Sequence, residues 1–238
     1  QRNPPPPGFS MIPRLLLPIL LLALPATAGA QSADTTRYEI AFPNAVHHEA
    51  EVKVEFRNVP RGTLELRMSR SSPGRYALHE FAKNIYAVKA VDSRGRALPM
   101  TRPNPHQWDV AGHDGTVVVT YTLFGGRVDA THAAIDATHA HLNMPATFMW
   151  ARGLHAPPVR VTFRPLRPDW KVATQLAPTS DPYVFTARDF QYFMDSPTEL
   201  SAHDVRTWTV GQGAAARTLR FALHHAGTAG ELDSFAGL

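Results

Sequence analysis

Residues 31–226 of this chain read as an all-β, antiparallel β-sandwich, and three observations predict it. Apolar and polar residues alternate with period two in five separate stretches, the pattern of strands with one buried face. Turn-forming clusters punctuate the sequence between those stretches. A helical period is almost absent, and short strands at such spacing suggest a sandwich.

The stretches follow in order. Val52, Val54 and Phe56 face away from Glu51, Lys53 and Glu55. Leu64, Leu66 and Met68 oppose Glu65 and Arg67. Val117, Val119, Tyr121 and Leu123 form the third set, Val159, Val161 and Phe163 the fourth, and Leu219, Phe221 and Leu223 the fifth. The turns are Pro60-Arg61-Gly62, Pro73-Gly74, Ser93-Arg94-Gly95, the Gly112–Gly115 segment and Gly125-Gly126. One short helix is predicted near 187–194, with Thr186 as its N-cap, Asp189 three residues on, and Pro197 as its stop. After a last strand at Leu219–His225, residues 227–238 show no closing element, so they read as the start of a linker or of a further domain.

The 238 residues suffice for a real core, and 44% hydrophobic with 18% charged residues is an ordinary globular balance. Half of the net charge of +4 lies on Arg2 and Arg14, too little and too scattered elsewhere for a nucleic-acid surface. The absence of cysteine excludes disulfides, thiolate metal sites and a cysteine nucleophile.

Residues 11–30 read as a signal peptide. Arg14 follows Met11, Leu15–Leu24 is apolar apart from Pro18, and Ala28-x-Ala30 is the small-residue pattern that signal peptidase accepts. Cleavage after about Ala30 is predicted, with export to a bacterial periplasm or medium. An apolar run of about ten residues falls far short of the roughly twenty that span a bilayer, so no stable membrane span is expected. Residues 1–10, rich in proline, read as a disordered segment upstream of Met11.

The 12 histidines raise the question of a metal. His79-Glu80 begins an H-E-x-x-H pattern, but Lys83 stands where the second histidine is needed and has no lone pair to give. His139 and His141 would share a face of a strand, with His132 and Asp136 nearby in sequence. That set follows no fixed ligand spacing, so the residues themselves assign no metal site. There is no Gly-x-Ser-x-Gly elbow, and Gly211-Gln212-Gly213 lacks the rest of a phosphate loop. Trp108, Trp150, Trp170 and Trp208 can stack on sugars, but packing in and around a sandwich core accounts for them more simply.

Four segments in order carry a family resemblance. They are Leu64–Met68 running into Ser72-Pro73-Gly74-Arg75-Tyr76; Glu80–Asn84; Asp136-Ala137-Thr138-His139 with Asn143; and Asp195-Ser196-Pro197-Thr198-Glu199. Together they resemble the N-terminal region of the glycyl aminopeptidase family, zinc metallopeptidases with a PDZ domain. The resemblance implies a non-catalytic β domain cut before a thermolysin-like zinc domain, with that domain and the PDZ domain of the same polypeptide as partners and a peptide as substrate. No catalytic or metal residue carries over. Zinc is expected in the missing catalytic domain, no cofactor in this fragment, and no aminopeptidase activity from it alone. Ser72, Pro73, Gly74 and Tyr76 match the family's turn, and Asp136, Thr138, His139 and Asn143 match its loop. These eight are the candidate interdomain or substrate-cleft residues, with the turn presenting Ser72 and Tyr76. His79 departs from the family's usual arginine. The competing reading is an independent periplasmic sandwich that binds peptides or glycans through an exposed row of aromatics.

Overall fold

The computed structural model describes Gln1, Arg2 and residues 35–237; the signal peptide predicted at 11–30 and the upstream segment 3–10 lie outside the described residues. Residues 35–237 belong to one compact unit. Its strands are β1 (Thr36–Asn44), β2 (Glu49–Phe56), β3 (Leu64–Arg67), β4 (Ile85–Val91), β5 (Met100–Asn104), β6 (Gln107–Val110), β7 (Val117–Phe124), β8 (Ala134–Ile135) and β9 (His139–Leu142). After the single-turn helix α1 (Met144–Thr147) come β10 (Trp150–Ala151), β11 (Val159–Arg164), β12 (Lys171–Thr174), β13 (Ala177–Pro178) and β14 (Val184–Ala187). Helix α2 (Phe190–Met194), β15 (Thr198–Ser201), the pair β16 (Asp204–Val210) and β17 (Arg217–Leu223), and helix α3 (Ala229–Ala236) complete the chain.

The fold is all-β and sandwich-like. A seven-stranded sheet runs β13-β14-β11-β1-β2-β7-β4, and two four-stranded sheets, β10-β3-β6-β5 and β12-β15-β9-β8, contribute to the same buried core. Alternation decides which side chains enter that core. Tyr38, Ile40 and Phe42 from β1, Val52, Val54 and Phe56 from β2, and Val117, Val119, Tyr121 and Leu123 from β7 are all buried. Leu64 and Leu66 of β3 and Leu142 of β9 join them from the smaller sheets.

Three features depart from the sequence reading. First, β1 pairs with β2 antiparallel but with β11 parallel, Tyr38 facing Val161. The sheet β10-β3-β6-β5 and strands β8 and β9 of the other four-stranded sheet are built from chain that lies between β1 and β11, and a long connection of that kind is what lets strands lie parallel. Second, the predicted helix begins later. Thr186 belongs to β14, and Asp189 is the N-cap, its carboxylate accepting from the Tyr192 N–H at 2.8 Å. Third, the chain after residue 227 enters a helix. Thr228 and Glu231 form a reciprocal capping box that starts α3. The fifth alternating stretch also behaves differently from the other four, because Leu219 remains exposed.

Candidate functional site

The Ser72 turn is closed by a hydrogen bond from the Arg75 N–H to the Ser72 carbonyl, 3.1 Å. Pro73 fixes the first central position and Gly74, at φ +73°, takes the left-handed second one that other residues resist. The turn does not present both residues predicted for it. Tyr76 is fully exposed, but Ser72 points inward and is buried.

What Ser72 reaches is Asn143. The Asn143 amide donates to Ser72 Oγ at 2.9 Å and also to the Thr131 carbonyl. One buried side chain thus ties the turn after β3 to the 127–133 loop and to the start of α1. Asn143 occupies the N-cap of α1 yet makes no side-chain cap bond, its amide being engaged across the fold. The rings of His79 and His132 reinforce the junction, 5.8 Å apart and perpendicular, with Phe81 against both. Burial holds His79 below the usual histidine range, and the neighbouring His132 and Arg75 add to the effect.

Asp129 organises the 127–133 loop. Its carboxylate accepts from the Thr131 N–H at 2.7 Å, the His132 N–H at 2.8 Å and the His132 ring at 3.0 Å. Burial alone would push this carboxyl up, but those hydrogen bonds outweigh it and hold the group well below the usual carboxylate range. A depressed folded-state value contributes stability that is present above the unfolded pKa, about 3.9, and is lost as pH falls below it. Urea melts of wild type and Asp129→Asn are therefore expected to differ at pH 7 and to converge toward pH 2. An equal difference at both pH values would remove the loop's electrostatic role.

Asp136, Thr138 and His139 lie apart from Ser72. They form the turn between β8 and β9, at the opposite end of β9 from Asn143, roughly 13 Å along a four-residue strand. Asp136 Oδ1 accepts from the Thr138 N–H at 2.6 Å and the His139 N–H at 3.0 Å, which fixes the turn locally. The eight candidates therefore fall into two groups, one around Ser72 and Asn143 and one around Asp136. The 127–133 loop adjoins both. It also borders a groove of about 500 Å³ lined by Val128, Asp129, His139, His141, Glu199 and His224 among others.

His139 and His141 share a face, as alternation requires, but His132 turns away toward Asp129. His139 packs on His224 with ring centres 4.9 Å apart, and His141 Nδ1 lies 3.5 Å from Glu199 Oε2. The other Glu199 oxygen is buried without a hydrogen-bond partner. Among the described residues no set of three His, Asp or Glu side chains is placed to hold a metal ion. At the partial zinc motif, Glu80 is engaged by Arg70 at 2.9 Å and His106 at 3.1 Å, and His79 is stacked on Phe81. Those residues do not fit a zinc ion.

Sequence reasoning missed Asp129, Thr131, Glu199 as a groove wall, and His224. The Asp129-x-Thr131 spacing, which suits an Asx turn, was the available signal for the first two. The tryptophans form no exposed row. Trp108 and Trp170 are buried, Trp150 packs against the core, and Trp208 is 39% exposed on the terminal hairpin.

The described residues thus define a sandwich-like β domain with buried ties between its end loops. The chain belongs to the peptidase M61 N-terminal domain family, whose profile matches residues 37–202. No curated protein sequence matches it. In fold it is similar to an aminopeptidase N family protein from Idiomarina loihiensis, at 20% identity and a TM-score of 0.71, covering 84% of this chain and 34% of that one. An M1 zinc metallopeptidase from Deinococcus radiodurans bound to a Tyr-Ser-Ala substrate matches at 13% identity and a TM-score of 0.44, covering 79% of this chain and 46% of the other. Aminopeptidase A of Legionella pneumophila matches at 9% identity and a TM-score of 0.44, over 82% and 24%. Only the first likeness bears on the fold, and this chain spans about a third of that relative's length.

Proposed function

We propose that this chain is the non-catalytic N-terminal β domain of an exported zinc metallopeptidase resembling the glycyl aminopeptidases. In this reading it packs on a thermolysin-like domain of the same polypeptide, which also carries the zinc and a PDZ domain, and it shapes the peptide cleft there. Family membership supports the peptidase context. The observation that carries the cleft role is the Asn143 tie. It rigidifies two loops whose outer side chains, Tyr76, Leu78 and Val128, are exposed and apolar. Large apolar side chains on pre-ordered loops are suited to a protein contact. The adjoining groove, lined in part by Asp129 and Glu199, suits the N–H groups of a peptide.

Tyr76 gives the test. Its side chain is wholly exposed, so Tyr76→Ala is expected to shift the stability of this chain by no more than about 0.5 kcal/mol. In the polypeptide extended through its zinc domain, the same change is expected to lower kcat/KM for peptide hydrolysis about tenfold, the usual scale for an interface anchor. Unchanged kcat/KM would sink the cleft role. Export rests on residues 11–30 and is tested by sequencing the N-terminus of periplasmic protein, where Gln31 is the expected first residue.

A further inference from the structure

We infer that the hairpin β16–β17 is held on the sandwich by a pH-sensitive latch, a seam of imidazoles from His139, His203 and His224 that keeps it docked while His203 is neutral and releases it when His203 takes up a proton. The latch is a property of the 238-residue chain alone.

Alternation builds the seam. The register sets Val205 with Ala222 and Thr207 with Arg220 on one face of the hairpin, and Arg206 with Phe221 and Trp208 with Leu219 on the other. Helix α3 takes the second face, where Phe235 stacks on Phe221 at 5.5 Å. The first face turns to the sandwich. A groove of about 370 Å³ lies between them, lined in part by Val172, Leu176 and Phe185 on one side and by Val205 and Ala222 on the other. The same register, continued one residue past Asp204 and Leu223, sets His203 opposite His224 at the base of that face. His224 in turn packs on His139 of β9, with ring centres 4.9 Å apart. Three imidazoles thus run from the sheet β12-β15-β9-β8 into the hairpin, where the two meet.

His203 is the ring that works the latch. His106, His132, His139, His141 and His225 each lie within 3.5 Å of a carboxylate, which compensates a proton. His203 is only 3% exposed, and its ring nitrogen lies 3.2 Å from a hydroxyl, that of Ser201. Burial is the main cause that holds it below the usual histidine range. Lys171 of β12 and His224 push the same way, and Glu199 of β15 and Asp204 of β16 oppose them without reversing the result. Arg220 lines the same groove and adds a further positive charge. A proton on His203 therefore places an ion in a buried site near two cations, a penalty that undocking removes.

Docking is strongest above about pH 6.5, where the ring is neutral whether docked or free. As pH falls below that value the free, solvated ring takes the proton first. Docking then weakens until pH reaches the depressed value of the docked ring. A two-stranded hairpin is marginal alone, so undocking lets its own amides open and bares Val172 and Leu176.

Hydrogen exchange of the 238-residue chain at pH 7.5 and pH 5.5 tests this, read as protection factors so that the pH dependence of the exchange chemistry cancels. Protection in β16 and β17 is expected to fall about tenfold at pH 5.5, with β1, β2 and β7 unchanged. Tenfold is the ratio that a difference of one proton gives over the single pH unit below about 6.5. His203→Gln cannot titrate but can still hydrogen-bond to Ser201, and it should lose most of that response. Ring resonances of His203 in the wild-type protein give a second reading that needs no variant. They should titrate below the ordinary histidine value, together with amide shifts in β16 and β17. Hairpin protection that is equal at the two pH values would overturn the latch. So would a full response in folded His203→Gln, or a His203 ring that titrates at or above the ordinary value. An equal loss of protection in β1 would also overturn it, because acid would then be unfolding the whole domain.

Discussion

Phe148→Ala is expected to cost this domain about 3–5 kcal/mol, the usual range for emptying a buried aromatic site. Phe148 is wholly buried and stands between Tyr38 and Phe193, with ring centres 5.1 and 5.2 Å away. Tyr38 and Phe193 stack on each other at 4.8 Å, so three rings from β1, the chain after α1, and α2 close on one another. The site cannot collapse easily around a smaller residue. Tyr38 is anchored by its hydroxyl donating to the Met149 carbonyl at 2.9 Å, and Tyr121 holds the same segment by accepting from the Met149 N–H at 3.0 Å. At about 2–4 °C per kcal/mol for a domain of this size, thermal melting should fall by roughly 6–20 °C. Phe124→Ala serves as the control, because that ring is 42% exposed on the rim. Equal losses in the two variants would show that the three-ring cluster is not the centre of the core.

The central sheet was legible because its strands have one wet and one dry face. Val52, Val54 and Phe56, or Val117 to Leu123, display that difference in the residue pattern itself. Shorter strands hid it. β8 and β10 have two residues each, too few for any period, and their places are fixed by partners far away in sequence, such as Trp150 opposite Arg67. The helix at Phe190–Met194 was legible in existence but not in its start. Thr186 and Asp189 are both acceptable caps, and pairing of Thr186 with Arg160 decided between them.

The terminal hairpin misled in the opposite way. Leu219, Phe221 and Leu223 alternate as well as any core strand, but alternation states only that a face is to be buried, not by what. The site behaved similarly. Pro73-Gly74 announced a turn, and the turn exists. Which way Ser72 pointed depended on Asn143, seventy-one positions on, and no local rule carries that information. Asp136 and Asn143 look adjacent in sequence, yet a strand separates them and directs them to different ends of β9.

Asn143 therefore offers the sharpest test of how the end loops are held. Asn143→Ala removes both donations at once and leaves the Ser72 hydroxyl and the Thr131 carbonyl buried without their partner. Each orphaned group costs about 1–3 kcal/mol, so a loss of about 2–6 kcal/mol is expected, against about 1 kcal/mol for Ser72→Ala, which breaks one link only. Asn143→Asp separates hydrogen bonding from shape. It keeps the volume and can still accept from Ser72, but it sets a carboxylate against the Thr131 carbonyl in a buried place. Burial and that carbonyl raise the folded-state pKa of the new carboxyl above its unfolded value. The folded protein then binds the extra proton, so the Asp variant should be least stable near pH 7 and recover as pH falls through its raised pKa. Denaturant midpoints at pH 7 and pH 5 read this directly, and wild type supplies the baseline. A variant whose deficit is the same at both values would mean that residue 143 is not buried between the loops. In the extended polypeptide the loss should reach function too, because Tyr76 and Val128 are aimed by the loops that Asn143 joins. A fall in kcat/KM for Asn143→Ala that matches Tyr76→Ala, at a temperature where both remain folded, would tie the buried amide to the cleft it helps to shape.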